Sequence, residues 1–176
     1  DLIETQKKRG KIRPEDVVAM QADDINKLTM MFHEWAAKQV PGDVQAADTQ
    51  SSLCWKEANL AKWNGRHSPD SKAATLAYAW FEKFESTVWE SVIGNAKEHF
   101  WPSRWRLMET VTSEEATKKL ALKKPLSEIL SSSLRLACDD LYGTYHRLPE
   151  WSEYQTTSIR HTGRVPGLGR KQVRAG

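Results

Sequence analysis

His33 and Glu34 stand side by side on a segment whose apolar residues recur at helical spacing, and an imidazole followed by a carboxylate is how a zinc-protease helix begins. That chemistry needs a second imidazole one turn later, so that both rings reach one metal ion while the carboxylate acts as general base. Position 37 is Ala, and the metal face is incomplete. His67, His99, His146 and His161 are scattered, and none has a carboxylate or thiol set beside it at ligand spacing. All five histidines are therefore expected to be packing or surface residues. The two cysteines, Cys54 and Cys138, lie far apart with no C-x-x-C neighbour, which points to neither a zinc pair nor a disulfide framework. Buried thiols are the expectation, with a single bridge as the alternative.

The stretch from Gly163 to Lys171 resembles a phosphate loop, in which backbone amides cradle oxygens and a lysine reaches the outer phosphate. Arg170 replaces the glycine required before Lys171, no Ser or Thr follows, and Pro166 removes an amide. A dinucleotide fingerprint fails as well, because Gln172 occupies the third glycine position. No Ser sits in a Gly-x-Ser-x-Gly elbow, and spacing alone defines no Ser-His-Asp set. Arg160, Arg164, Arg170, Lys171 and Arg174 make a basic tail, but a single-strand nucleic-acid groove adds stacking aromatics, and none follows Trp151 and Tyr154. Of the eight tryptophans, Trp35, Trp55, Trp63, Trp80 and Trp89 fall on or beside apolar helix faces and are expected in the core. Trp101, Trp105 and Trp151 lie where the helical pattern is weak.

The elements that position these residues are mostly helical. Asp1 to Arg9 reads as the end of a helix stopped by Gly10. Pro14, with Glu15 and Asp16 beside it, opens a long amphipathic helix through Val17, Val18, Met20, Ile25, Leu28, Phe32 and Trp35 to just before Pro41-Gly42. A third helix is expected from about Ala46 to Trp63, where Asn64-Gly65 tolerates a left-handed backbone. Asp70 or Ser71 caps the next, with a stripe of Ala74, Ala77, Trp80 or Phe81, Phe84, Val88 and Val92. After Pro102, Thr112 or Ser113 starts a short helix, and Leu126, Ile129, Leu130, Leu134, Ala137 and Leu141 mark a last helical face. Trp151 to His161, rich in Thr, Tyr and Ile, favours an extended strand, and the Gly/Pro/Arg remainder reads as loop. The expected fold is thus mainly α, with a helical region over 1–150 and a short C-terminal strand and loop over 151–176.

At 176 residues the chain is the size of one domain or a large piece of one, and a net charge of +3 from 26 basic and 23 acidic residues does not advertise nucleic acid. No run approaches the roughly 20 apolar residues that cross a bilayer, so no membrane span is expected. The opening Asp-Leu-Ile-Glu-Thr-Gln has no signal-peptide core. A first residue that is Asp rather than methionine, a start inside a helical pattern and the ending on Arg-Ala-Gly read as a processed or truncated part of something longer.

Order and wording add a resemblance. Gly10-Lys11-Ile12-Arg13-Pro14-Glu15-Asp16 leads to Met20-Gln21-Ala22-Asp23, and Leu60 through Trp63-Asn64-Gly65 leads to Asp70-Ser71, Ala73-Ala74 and Trp80. Together these resemble the beta-subunit portion of the penicillin amidase family of N-terminal-nucleophile hydrolases. In that family a Lys-(Ile or Leu)-x-Pro-Glu-Asp helix start, a Gln-x-Asp and a Trp-Asp-Gly before a helix are common. Asn64 stands here for the usual Asp, and Ser152 for the Gly that usually follows the later Trp. The likeness is strongest over 10–93 and returns over 151–170, where Val165-Pro166-Gly167-Leu168-Gly169 looks like the passage back into the sheet.

The resemblance implies the helical portion of an αββα amide hydrolase acting on penicillin, an acyl-homoserine lactone or a related small N-acyl substrate. The family's nucleophile is a Ser at the start of the beta subunit, exposed by self-cleavage. Its own α-amine is the base, and an Asn side chain with backbone amides holds the oxyanion; an amine pKa near 8 leaves a useful neutral fraction at neutral pH. Residue 1 here is Asp, and Asn26, Asn59, Asn64 and Asn95 stand in other contexts, so no catalytic role transfers to any position. The expectation is a scaffold segment, inert alone, partnered by the alpha subunit and the rest of the beta subunit. No cofactor is expected in this chain, and the calcium ligands of some family members fall outside it. Family resemblance points to a periplasmic or secreted setting. The competing reading is a free-standing helical protein-interaction module without catalysis; a weaker third is a basic-tailed polyanion binder.

Overall fold

The computed structural model describes residues 13–21, 23–40, 49–94, 101–159 and 171–174. The chain is mainly helical. In order, the helices are α1 (Pro14–Gln21), α2 (Lys27–Gln39), α3 (Gln50–Ala58) followed by a 3₁₀ turn (Leu60–Lys62), α4 (Lys72–Ile93), α5 (Arg104–Thr112), α6 (Glu114–Lys119), α7 (Leu126–Tyr145) and α8 (Trp151–Tyr154), with strands β1 (Thr156–Ile159) and β2 (Lys171–Arg174) closing the chain.

The central helix, α4, forms where its sequence pattern expects it. Ser71 caps it, its hydroxyl oxygen accepting from the Ala74 amide at 3.1 Å, and satisfies one of the donors that a helix start leaves open. Leu76, Ala77, Trp80, Phe81, Phe84 and Val88 then recur every three or four residues and are fully buried. Val92, the last expected member of this stripe, is exposed. The principal partner is α7, whose buried face is Ile129, Leu130, Ser133, Leu134, Ala137, Cys138 and Leu141. The Trp80 indole N–H crosses between the helices to the Leu130 carbonyl at 3.0 Å and Ser133 Oγ at 3.2 Å, so this wholly buried ring carries no unsatisfied donor. From α2, Phe32 stacks on Phe81 with centroids 4.4 Å apart and meets Trp80 edge-on at 5.1 Å. Burying rings of this size is worth about 2–3 kcal/mol each, so this cluster contributes substantially to the cohesion of the core.

A buried disulfide joins Cys54 of α3 to Cys138 of α7, with Cα atoms 6.3 Å apart. The sequence left free thiols and a bridge open; packing α3 against α7 brings the pair within bonding distance. Beside it, Glu57 on α3 accepts from Lys72 Nζ at 2.8 Å and from the Tyr142 hydroxyl.

Several elements differ from the sequence pattern. The single helix expected from Pro14 to Trp35 is two helices. Asp23 Oδ1 accepts from the Ile25 amide at 3.2 Å, Asn26 Oδ1 accepts from the Thr29 amide at 3.1 Å, and Ile25 pairs with Arg66 in an isolated bridge. Short polar side chains bonding to nearby backbone compete with the helical ladder and break it there. Helix α3 stops at Asn59, which is left-handed (φ 52°), short of the expected end at Trp63. Helix α5 is not evident in the sequence; Ser103 caps it, its Oγ accepting from the Arg106 amide, and Leu107, Met108 and Val111 form its buried face. Ser113 starts α6 as expected. Residues 151–154, expected as extended strand, form the helical turn α8, because the Gln155 amide bonds back to the Trp151 carbonyl at 2.9 Å. The strand begins only at Thr156 and pairs antiparallel with β2, from Thr156 opposite Arg174 to Ile159 opposite Lys171. Lys171–Arg174 is therefore strand where loop is expected. The expected helix over Asp1–Arg9, the Pro41-Gly42 break and the Gly163–Gly169 loop lie outside the described residues.

Candidate functional site

The Trp63–Ser71 joint between the 3₁₀ turn and α4 is fixed from three sides. Its Arg66 side chain pairs with Asp24 Oδ1 at 2.8 Å, Ser68 Oγ donates to Asp24 Oδ2 at 3.2 Å, and the His67 amide donates to the Asp24 carbonyl at 3.0 Å. The Asn26 amide donates to the Gly65 carbonyl at 3.1 Å, and the Ser152 amide at the start of α8 donates to the Pro69 carbonyl at 2.9 Å. Trp63 closes the joint internally, its indole N–H reaching the Arg66 carbonyl at 2.8 Å. Gly65 sits at φ +85°, and a Cβ there would lie 2.6 Å from Met30 Sδ, so conformation and space both select glycine. Asn64 Oδ1 accepts from the Arg66 amide at 3.2 Å, a local turn contact.

Aromatic rings line this joint. His33 of α2 lies 6.1 Å from Trp55 and 5.6 Å from Trp63, centroid to centroid; Trp63 lies 5.5 Å from His67, and His67 meets Trp151 edge-on at 4.5 Å. Burial lowers the pKa of His33, against the opposing charge of Glu34. Burial also lowers that of His67, against its contact with the Gly65 carbonyl and the charge of Asp24. In both rings desolvation outweighs the nearby acidic charge and favours the neutral form.

A cleft of about 440 Å³ opens between α4, α7 and α8. On one wall Arg104, at the first position of α5, is gripped by Glu85 at 2.8 Å and Glu82 at 3.3 Å, and it lies over the rings of Tyr78 (5.0 Å) and Phe81 (5.4 Å). Burial would lower its pKa, but the bonds from Glu85 outweigh this and raise it, so the guanidinium is charged at every working pH. The Tyr154 hydroxyl donates to Glu82 at 2.8 Å; burial first, then the Glu82 charge, raises its pKa. Lys83 pairs with Asp140 across the α4–α7 seam. Ser86 lines the cleft too, but its hydroxyl donates to the Lys83 carbonyl at 3.0 Å, and no histidine is among the lining residues. The wall is an ion-paired strut rather than an activated nucleophile.

The sequence named no catalytic residue, and the Arg104–Glu82–Glu85–Tyr154 cluster was not found by it. Its one local signal is the three-residue spacing of Glu82 and Glu85 on α4, a pattern shared by any solvated helix face. Trp55, Trp80 and Trp89 are buried and Trp35 and Trp63 partly so, in line with the core expectation. Trp151 is buried against His67 and Tyr78, Trp101 is packed against the core, and Trp105 is half exposed. Lys171 and Arg174 of the basic tail belong to β2; Arg160, Arg164, Arg170, His99, His161 and Asn95 lie outside the described residues.

Among the described residues no three His, Cys, Asp or Glu side chains are grouped to hold a metal ion. Several carboxylates are paired with cations: Asp24 with Arg66, Glu57 with Lys72, Glu82 and Glu85 with Arg104, Asp140 with Lys83. No described helix is long and apolar enough to cross a membrane. In comparisons with known proteins, the family model described as penicillin amidase matches residues 1–176, the whole chain. No curated protein and no solved structure matches it.

Proposed function

The chain belongs to the penicillin amidase family, and from that premise we propose that it is the scaffold part of an acylase that hydrolyses the carbon–nitrogen bond of a small N-acyl substrate. The whole-chain family match carries this reading. Substrates of the class are penicillins, acyl-homoserine lactones and related amides. In this proposal the serine nucleophile, its α-amine base and the oxyanion donors come from the rest of the acylase, its alpha subunit and the remainder of the beta subunit. Helices α4 and α7 would then brace the sheet that bears the nucleophile.

Two observations support the division of labour. The charged groups around the cleft are neutralised in pairs, with Arg104 held by two carboxylates, an arrangement suited to rigidity. The joint carrying the Trp63-Asn64-Gly65 family wording is tied by Asp24, Asn26 and Ser152 into a fixed corner, which favours a structural role for that wording. Any calcium in the complete enzyme would be held elsewhere, and the chain would need no cofactor of its own. The Cys54–Cys138 bridge supports an oxidising compartment, periplasmic or extracellular.

The test is hydrolysis of phenylacetyl, aliphatic acyl and acyl-homoserine-lactone amides by the chain alone and by the complete acylase. Turnover should require the complete protein. Robust hydrolysis by these 176 residues alone would refute the scaffold assignment.

A further inference from the structure

The two joint histidines have an arrangement that packing alone does not require. His33 Nδ1 and His67 Nε2 are both buried, and neither has a hydrogen-bond partner. The Trp63 indole stands between the two rings, 5.6 Å from one and 5.5 Å from the other. His33 approaches from α2 and His67 from the joint itself, while Trp55 of α3 and Trp151 of α8 close the outer sides. A proton added to either free nitrogen would be a buried donor with no acceptor, and its charge would have to be desolvated.

We propose that His33 and His67 form an acid-sensitive latch on the Trp63–Ser71 joint, holding it closed while both rings are neutral and releasing it when they protonate. Among the described residues, two charges act on the pair. On α2 it is Glu34, beside His33; from the connection before α2 it is Asp24, near His67 and already bound to Arg66 and Ser68. From α3 and α8 come the Trp55 and Trp151 rings, and α4 adds Tyr78, which touches Trp151. Glu34 and Asp24 favour protonation, yet desolvation is the larger influence on both rings.

The sign follows from linkage. Each imidazole has a folded pKa below its ordinary value of 6.5, so the open form binds more protons. The latch is fully closed above that value and weakens as pH falls through it towards the folded pKa. Each ring contributes a factor of up to about ten per pH unit to the opening equilibrium. The window just below 6.5 is therefore where the histidines act on the joint.

The experiment is hydrogen–deuterium exchange with mass spectrometry on the intact protein, following peptides across 60–71 and 23–30 from about pH 7.5 to 5, a range that brackets the ordinary histidine pKa, corrected for the intrinsic pH dependence of exchange. Protection of these peptides should fall with pH while peptides from α7 hold theirs. His33→Phe and His67→Phe should each remove part of the dependence, and the double variant should remove it all. Histidine C2 exchange in the unsubstituted protein reads each ring directly and does not depend on the variants folding. Both midpoints should lie below 6.5. Ring midpoints at or above that value, or joint protection independent of pH, would overturn the proposal.

Discussion

At the scale of single residues, the joint is the most constrained place in the chain. Gly65 combines a positive φ with a Cβ position overlapping Met30, so Gly65→Ala should destabilise by about 1–3 kcal/mol in urea unfolding. Met30→Ala in that background should recover the part due to contact and leave the part due to backbone strain. Asp24 holds Arg66 and Ser68 through its carboxylate, and its carbonyl accepts from His67. Asp24→Ala should therefore loosen the joint and raise exchange of the His67 amide, whereas removing the exposed Lys118–Glu114 pair should leave exchange unchanged. Glu57 gives a second pH signature. Burial alone would raise its pKa, but Lys72 and Tyr142 together hold it below the ordinary carboxyl value. Its contribution is present above pH 4.5 and is lost as pH falls through the lowered value, so the acid limb of a stability profile should flatten in Glu57→Gln.

Among the elements, caps and local side-chain bonds decided the boundaries. Ser71→Ala should cost about 1 kcal/mol of stability by leaving the Ala74 amide without its partner, read as a lower midpoint with an unchanged denaturant slope. Helix α4 was legible because its stripe from Ala74 to Val88 runs unbroken with a capping Ser before it. Helix α7 was legible from its stripe alone, since Pro125 before it makes no side-chain cap bond. The break between α1 and α2 was not, because Asp23 and Asn26 look like ordinary polar positions of a helix until Arg66, far along the chain, pairs with Ile25. The first turn of α8 has strand-forming residues, but the Ser152 amide is drawn to Pro69 and the Gln155 amide to Trp151, so tertiary context overrode propensity.

Across the whole molecule, the Cys54–Cys138 bridge closes a loop spanning 84 positions through the core. Its removal in Cys54→Ala/Cys138→Ala should cost about 2–4 kcal/mol, and reductant should lower the thermal midpoint of the unsubstituted protein but not that of the variant. By itself the sequence determined the helical class, the α4 and α7 core faces and the family, and it narrowed two helix starts to Asp70 or Ser71 and to Thr112 or Ser113, of which the structure selects Ser71 and Ser113. Each of these is written in local periodicity or in an ordered run of residues, which needs no knowledge of neighbours. Tertiary structure alone decided that the two cysteines meet, that Arg104 is clasped by Glu82 and Glu85 beneath Tyr154, and that His33 and His67 flank one indole. Those contacts join residues 19 to 84 positions apart, or rings on α2 and the joint that meet once Asp24 and Asn26 are bonded to Gly65–Ser68. Their chemistry depends on desolvation and distance, and neither exists until the chain has folded.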